Sequence, residues 1–414
     1  MSDVNAQPLP LEGIRVCDFS WIVAGPTATR ILADMGAEVV KVENESYLDS
    51  MRIGLQTNPE RPSVNGSGFH SNFNRNKLGI TANIHHPKGR EVVERLLSVS
   101  DVVIENFSAG AFGRMGFGWD RLVELNPRII YVSLSGFGHL GRDNSYVTWG
   151  PTAQAVSGAT QMSGLPDQPP AGWGFSYLDH TAGYYGAIAV LMALQHRRRT
   201  GEGQYVDMAQ IETGAVLGGI PVLDKQVNGR DYVRIGNRSR YPEIAPHNTY
   251  RCRDDELTDR WIAIVADTGE AWRALCAELG AATLAGDPRF ASNAARIANQ
   301  DALDAAITER TREREAPELM YALQARGVAA GLCQRTDDKM ERDPQLAARG
   351  FYRTAPHEEL GVHRYEGLPF AFRHARWRMD RGAPLLGEDT YDVLTRLLRY
   401  APEEVAELQA EAAV

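Results

Sequence analysis

The chain is poor in cysteine and arranges it in no useful pattern. Its 414 residues include four, Cys17, Cys252, Cys276 and Cys333, with no CxxC pair and no His-rich neighbourhood. That excludes a disulfide scaffold and argues against a zinc site, so no metal is expected. Long apolar runs are missing as well. The longest, Ala187 to Leu194, falls far short of the roughly 20 residues that a membrane-spanning helix needs, so no membrane partner is expected. The opening "MSDVNAQPLPLEG" has neither a basic start nor an apolar stretch; no signal peptide is predicted, and a cytoplasmic location is expected. Positive charge is in deficit: Lys+Arg 44 against Asp+Glu 53 leaves a formal net charge of -9, the wrong sign for a general nucleic-acid surface. Nucleotide fingerprints are absent too. There is no GxxxxGK[ST], and "SWIVAGPTAT" has the wrong glycine spacing for a dinucleotide turn.

What is present is an alternation of strand and helix signals. "IRVCDFS" (14–20) reads as a strand and "AGPTATRILADMGA" (24–37) as a helix opened by Gly25 and Pro26 and closed by Gly36. "EVVKVEN" (38–44) is the next strand. A strand–helix–strand unit of this length demands parallel pairing. The theme continues with the helix "HPKGREVVERLLSVS", whose Val92, Val93, Leu96 and Leu97 share a face, the strand "DVVIENF", the short helix "WDRLVELNP" and the strand "RIIYVSLSGFG". "YVDMAQIETGAVLGG" adds a strand and a helix. The prediction is a Rossmann-like α/β domain. From about residue 222 to 255 the text turns polar and turn-rich, a linker or loop. "WIAIVAD" and "EAWRALCAELG" then open a second unit, with helices to about residue 326. "GLPFAF" predicts a short strand and "APLLGEDTYDVLTRLL" a final amphipathic helix.

In "GWGFSYLDHTAGYYGAIAVLMALQHRRRTGEGQ" (172–204) a lone carboxylate, Asp179, stands where an aromatic, glycine-spotted loop becomes a small-residue helix. The segment holds no Cys or Lys, and no obvious nucleophile–base pair stands out. Two readings follow. Asp179 caps the helix, the commoner use of Asp at such a place, or the carboxylate is itself the nucleophile. A carboxylate is already deprotonated at neutral pH and needs no base.

Longer segments decide between them. "LEGIRVCDFSWIVAGPTATRILADMGAEVVKVE", "NRNKLGITANIHHPKGREVVERLLSVSDVVIENFSAGAFGRMGF", "LNPRIIYVSLSGFG", "RRRTGEGQYVDMAQIE" and "APLLGED" run in order over nearly the whole chain. Together they resemble the class III CoA-transferases of the formyl-CoA transferase and carnitine-CoA transferase type. The resemblance implies a large Rossmann-like domain built from both chain ends (1–221 and 341–414), linkers and a smaller inserted α/β domain (222–340), and an interlocked homodimer. It implies that Asp179 is the catalytic aspartate, attacking an acyl-CoA to give a mixed anhydride and then an aspartyl-CoA thioester. No permanently bound cofactor is implied, coenzyme A being the group transferred. For CoA it points at Ala24, at Arg75 and Lys77 in "NRNK", and at Asn106, Phe107, Arg114 and Met115. Arg and Lys suit the phosphates, and an apolar face suits the adenine.

The chain also departs from the family. Val23 stands where formyl-CoA transferase has a glutamine, Asn44 where it has a basic residue, and its run of four glycines has no counterpart; these changes argue against a formyl/oxalate pair. Trp149, with Trp173, Phe175 and Tyr177 just before Asp179, predicts a pocket for a bulkier acid. "GWGFSYLDHTAGYY" resembles the benzylsuccinate CoA-transferase branch, with succinyl-CoA as the implied donor. Arg238 and Arg240 are candidates for a dicarboxylate's distal end. The same fold also hosts 2-methylacyl-CoA racemases, which carry a His thirty residues before the Asp. Here that place is Trp149, and indole has no basic nitrogen. A non-catalytic subunit of a hetero-oligomer is the third reading, opposed by Asp179 in an intact context.

Overall fold

The computed structural model describes residues 7–414. The apolar alternation folds into one six-stranded sheet of β1 (Arg15–Asp18), β2 (Glu38–Glu43), β3 (Leu78–Thr81), β4 (Val102–Glu105), β5 (Ile130–Ser135) and β6 (Gln204–Ala209). Their order is β3-β2-β1-β4-β5-β6, and every pairing is parallel. This is the doubly wound order, with the direction of winding reversing between β1 and β4. Neighbouring strand residues face opposite sides, so each strand feeds two cores. Val16, Val39, Val102, Ile130 and Val132 pack with Ala28, Ile31 and Leu32 of the helix Ala24–Asp34 (α1) and with Ala187 and Val190 of the long helix Tyr177–Thr200. Cys17, Val40, Val103 and Tyr131 face the other way. They meet Val92, Leu96 and Leu97 of the helix Pro87–Ser98, and Leu394, Val405 and Leu408 from the chain's end.

The chain forms two compact units. The first takes the described residues up to Gln161, then Gly172–Asp231 and Gln345–Val414; the second is Met162–Ala171 with Tyr232–Pro344. The second unit has a three-stranded antiparallel sheet, with Trp261–Val265 between His247–Arg251 and Ala329–Leu332. Its own core includes Ile262, Ile264, Trp272, Leu275, Phe290, Leu303 and Leu319.

Three local expectations are corrected. "GLPFAF" is irregular, Pro369 being unable to donate to a ladder; the strands there are the preceding hairpin, Tyr352–His357 with Gly361–Glu366. The helix expected from "APLLGEDTYDVLTRLL" starts only at Thr390, after Pro384 and the left-handed Gly387, and the last helix is Pro402–Ala410. Part of the stretch read as linker is the helix Gly219–Asn228. Among the described residues no helix is long and apolar enough to cross a membrane.

Candidate active site

Parallel sheets gather loops at the carboxyl ends of their strands, and ligands bind where the winding reverses. A cavity of about 200 Å³ lies there. Trp21, Ile22, Val23 and Ala24 line it from the β1 exit, Asn106, Phe107 and Ser108 from the β4 exit, Gly136 from β5 and Gln210 from β6. Tyr146, Val147, Thr148, Trp149 and Gly150 add a further wall, and Asp179 completes it. The two central loops are tied together by the Asn106 carboxamide, which accepts from the Trp21 N–H (2.7 Å) and donates to the Trp21 carbonyl (2.9 Å). Ile22 is held at a left-handed φ of 66°, an unfavourable place for a β-branched residue. Its N–H is fixed by Asp49 Oδ2 at 3.0 Å.

Asp179 is not the helix cap. Ser176 holds that position, in a left-handed conformation, and Asp179 is the third residue of Tyr177–Thr200. Its carboxylate is buried, and Oδ1 accepts from Nε2 of Gln210. Burial pushes its pKa up from the ordinary carboxylate value, while hydrogen bonds from Gln210 and Ser176 pull part of that shift back. The helix N-terminus also favours the anion. Close packing makes room for this: a Cβ on Gly183 would lie 2.7 Å from the Ala24 carbonyl oxygen of α1. Gly150 is confined by the carboxylate itself: a Cβ there would run into Asp179 Oδ2 and sit 2.9 Å from Asp179 Cγ and 3.0 Å from Ser176 Cα. Gly150→Ala should therefore displace the carboxylate and cost on the order of a hundredfold in kcat, with thermal unfolding as the check that the fold persists.

The structure brings Val23, Ala24, Asn106, Phe107 and Trp149 together with Asp179. It does not bring the others. Arg75 and Lys77 were expected to meet CoA phosphates, and their burial corrects this. Both side chains are wholly enclosed, Arg75 paired with Asp34 at 2.7 Å and Lys77 with Asp18 at 2.8 Å. Neither can present its charge to a phosphate. Arg114 is exposed, its guanidinium donating to the Ala109 carbonyl (3.4 Å), and Met115 packs on the core; neither lines the cavity. Trp173 and Tyr177 contact each other edge to face at 5.4 Å, and Phe175 packs on Phe69, so the aromatic lining comes instead from Trp21, Phe107, Tyr146 and Trp149. Arg238 lies in the second unit, where it donates to Asp304 at 2.9 Å and pairs with Asp301. Gln210 and Gly150 were missed. The one available signal was position: Gln210 is the first residue beyond β6. Among the described residues no group of three or more His, Cys, Asp or Glu is placed to hold a metal ion.

Fold and site thus define an α/β enzyme with a buried carboxylate at the switch point of a parallel sheet. Residues 11–390 match the family model of CoA-transferase family III, and the chain belongs to that family. It is 32% identical over 400 residues to a succinate–glutarate CoA-transferase of Agrobacterium fabrum, covering 96% of this chain and 98% of that protein. It is also 32% identical over 404 residues to a succinyl-CoA–D-citramalate CoA-transferase of Chloroflexus aurantiacus, covering 98% of each. The crystal structure of a CAIB/BAIF family protein from Brucella suis matches with a TM-score of 0.86 at 33% identity, over 94% of this chain and 100% of that one. The protein is a class III CoA-transferase acting on CoA thioesters and carboxylic acids.

Proposed function

We propose that the enzyme moves CoA from succinyl-CoA to a dicarboxylic acid through covalent intermediates on Asp179. One observation carries the reading: a buried carboxylate faces the cavity at the switch point, held by a carboxamide and paired with no cation among the described residues. The Asp179 carboxylate attacks the thioester carbon, the C–S bond breaks, and CoA thiolate leaves a mixed anhydride. The thiolate adds to the aspartyl carbonyl and releases succinate, leaving aspartyl-CoA. The acceptor carboxylate then attacks the aspartyl carbonyl, and the liberated thiolate takes the new acyl group. Each step exchanges one activated acyl bond for another, so thioester energy is retained. Burial excludes the water that would hydrolyse the anhydride.

The donor and the acceptor class are supported by the relatives' names, which pair succinate with glutarate or with D-citramalate. Trp21, Phe107, Tyr146 and Trp149 around the cavity support a substituted acceptor, arylsuccinates included. Ala24, Asn106 and Phe107 hold the thioester end of CoA, and Arg114, exposed and without a carboxylate partner among the described residues, meets its phosphates. Tyr184, Ile188 and Met192 on the long helix, with Val216, Ile220 and Leu223 beyond it, leave an exposed apolar face. A second copy covers it in a homodimer, and this assembly acts in the cytoplasm.

Purified enzyme should be given succinyl-CoA with glutarate, citramalate or an arylsuccinate in turn, and the CoA esters read by mass. A new dicarboxylyl-CoA is the expected product. Exchange of an α-hydrogen with deuterated water, without CoA transfer, would support the racemase reading instead.

A further inference from the structure

We propose that Gln210 is a catalytic residue of this transfer, holding Oδ1 of Asp179 through its carboxamide N–H and then stabilising the oxyanion that forms on that same atom. The inference rests on the aspartyl mechanism above. Gln210 opens the helix Gln210–Leu217 directly after β6. The residue is buried, its Nε2 donates to Asp179 Oδ1, and both side chains line one cavity. Its start of helix is fixed: the Gln210 carbonyl accepts from Thr213 Oγ1 at 2.7 Å. The same helix is locked against the aspartate's helix at Gly214, where a Cβ would lie 2.8 Å from Leu178 Cδ1. Leu178 is the residue before Asp179, so the packing that sets one partner sets the other.

The two carboxylate oxygens are therefore unlike. Oδ1 has the Gln210 donor, and Oδ2 faces Gly150, where the missing side chain leaves space toward the cavity. Attack through Oδ2 makes Oδ1 the carbonyl oxygen of the anhydride. When thiolate adds to Cγ, a Cγ–S bond forms and negative charge collects on Oδ1. The charge then returns, the Cγ–Oδ2 bond breaks, and succinate leaves carrying Oδ2. When the acceptor carboxylate adds to aspartyl-CoA, charge collects on Oδ1 again as the Cγ–S bond breaks and thiolate departs. In both steps the donor already aimed at Oδ1 meets the charge as it forms, without reorganisation. A carboxamide suits the task, since it gives a hydrogen bond but no proton and leaves the thiolate unquenched. The opening attack is different: its charge forms on the succinyl carbonyl, beyond the reach of a group bound to Oδ1.

That difference supplies the test. Gln210→Leu and the near-isosteric Gln210→Glu, which keeps the shape and loses the N–H donor, should be compared with wild type in rapid-quench and steady-state assays with succinyl-CoA. In each variant transfer kcat should fall on the order of 10²–10³-fold, with the KM for succinyl-CoA within about threefold of wild type. Succinyl-CoA hydrolysis should rise relative to transfer, because the anhydride still forms but is resolved slowly by thiolate. The CoA adduct on Asp179, measured with donor alone, should appear correspondingly more slowly. A folded variant with near-wild-type transfer would overturn the role of Gln210 while leaving the aspartyl mechanism standing. Equal losses of hydrolysis and transfer would also overturn it, by reducing Gln210 to a packing group. Failure of wild type itself to form the adduct would remove the mechanism and this inference together.

Discussion

Asp179→Ala should abolish CoA transfer, a loss on the order of 10⁴-fold or more in kcat, while unfolding at the same or a higher temperature than wild type. The first half follows from chemistry: alanine has no atom with which to form the anhydride. The second follows from electrostatics. Burial raises the carboxyl's pKa in the folded protein above its ordinary value, so at neutral pH the fold holds a charge that it disfavours, and removing that charge cannot cost the same stability again. A binding assay with a CoA ester and a melting curve measure the two halves separately. Asp179→Glu should also be crippled, by roughly a hundredfold, because one methylene misplaces the attacking oxygen. The pH profile carries the same sign. Since the anion is the reagent, kcat/KM of wild type should fall as pH drops through a value above the ordinary carboxylate range. Substantial transfer by a folded Asp179→Ala enzyme would end the nucleophile proposal.

How far the sequence was legible depends on the range of the interaction concerned. Helices and strands with local signals were read well: Pro26 and Gly36 bracket α1, and the valines of β1, β2 and β4 announce strands buried on both faces. The cavity wall was partly legible through the family resemblance, which pointed at Val23, Ala24, Asn106 and Phe107; all four follow strand ends, where a parallel sheet places its ligands. Gln210 obeys the same rule. It was missed because a glutamine opening a helix looks like any solvated polar residue until β6 is set beside the aspartate's helix. Arg75 and Lys77 failed in the opposite direction. A basic residue in a motif reads as a phosphate ligand, and the acids that claim these two lie 41 and 59 residues away in the chain. Nothing local announces such partners. The alternation of Trp173, Phe175 and Tyr177 misled for a similar reason: Trp173 packs on Tyr177 and Phe175 on the distant Phe69, and none of the three lines the cavity.

The misreading of "NRNK" leads to the largest stability effect to be expected here. Lys77→Met should destabilise the first unit by about 3–5 kcal/mol, the usual consequence of stranding one charge of a buried pair. Lys77 Nζ donates to Asp18 Oδ2 (2.8 Å) and to Asn74 Oδ1 (2.8 Å), with both charged side chains fully enclosed. Asp18 is the last residue of β1, and its carboxylate also accepts from Ser20 N–H and from Thr29 Oγ1 of α1 at 2.8 Å. It thus organises the turn that delivers Trp21 to Ala24 to the cavity. Burial alone would raise the pKa of Asp18, but Lys77, Lys41 and the hydrogen bond from the Ser20 side chain bring it down to about 2. A depressed folded-state pKa stabilises above the unfolded value of 3.8, and that contribution disappears as pH falls through about 2. In the Lys77→Met protein the largest opposing influence is gone and burial prevails, so Asp18 should take up a proton at milder acidity. The urea midpoint of the variant should therefore lie furthest below that of wild type at about pH 7 and approach it as both are acidified toward about pH 4. Apparent affinity for succinyl-CoA should weaken in parallel, because the loop at the β1 exit loses its anchor. A variant as stable as wild type at neutral pH would mean that Lys41, whose ammonium donates to the Ser20 carbonyl at 2.7 Å, suffices to neutralise Asp18 alone.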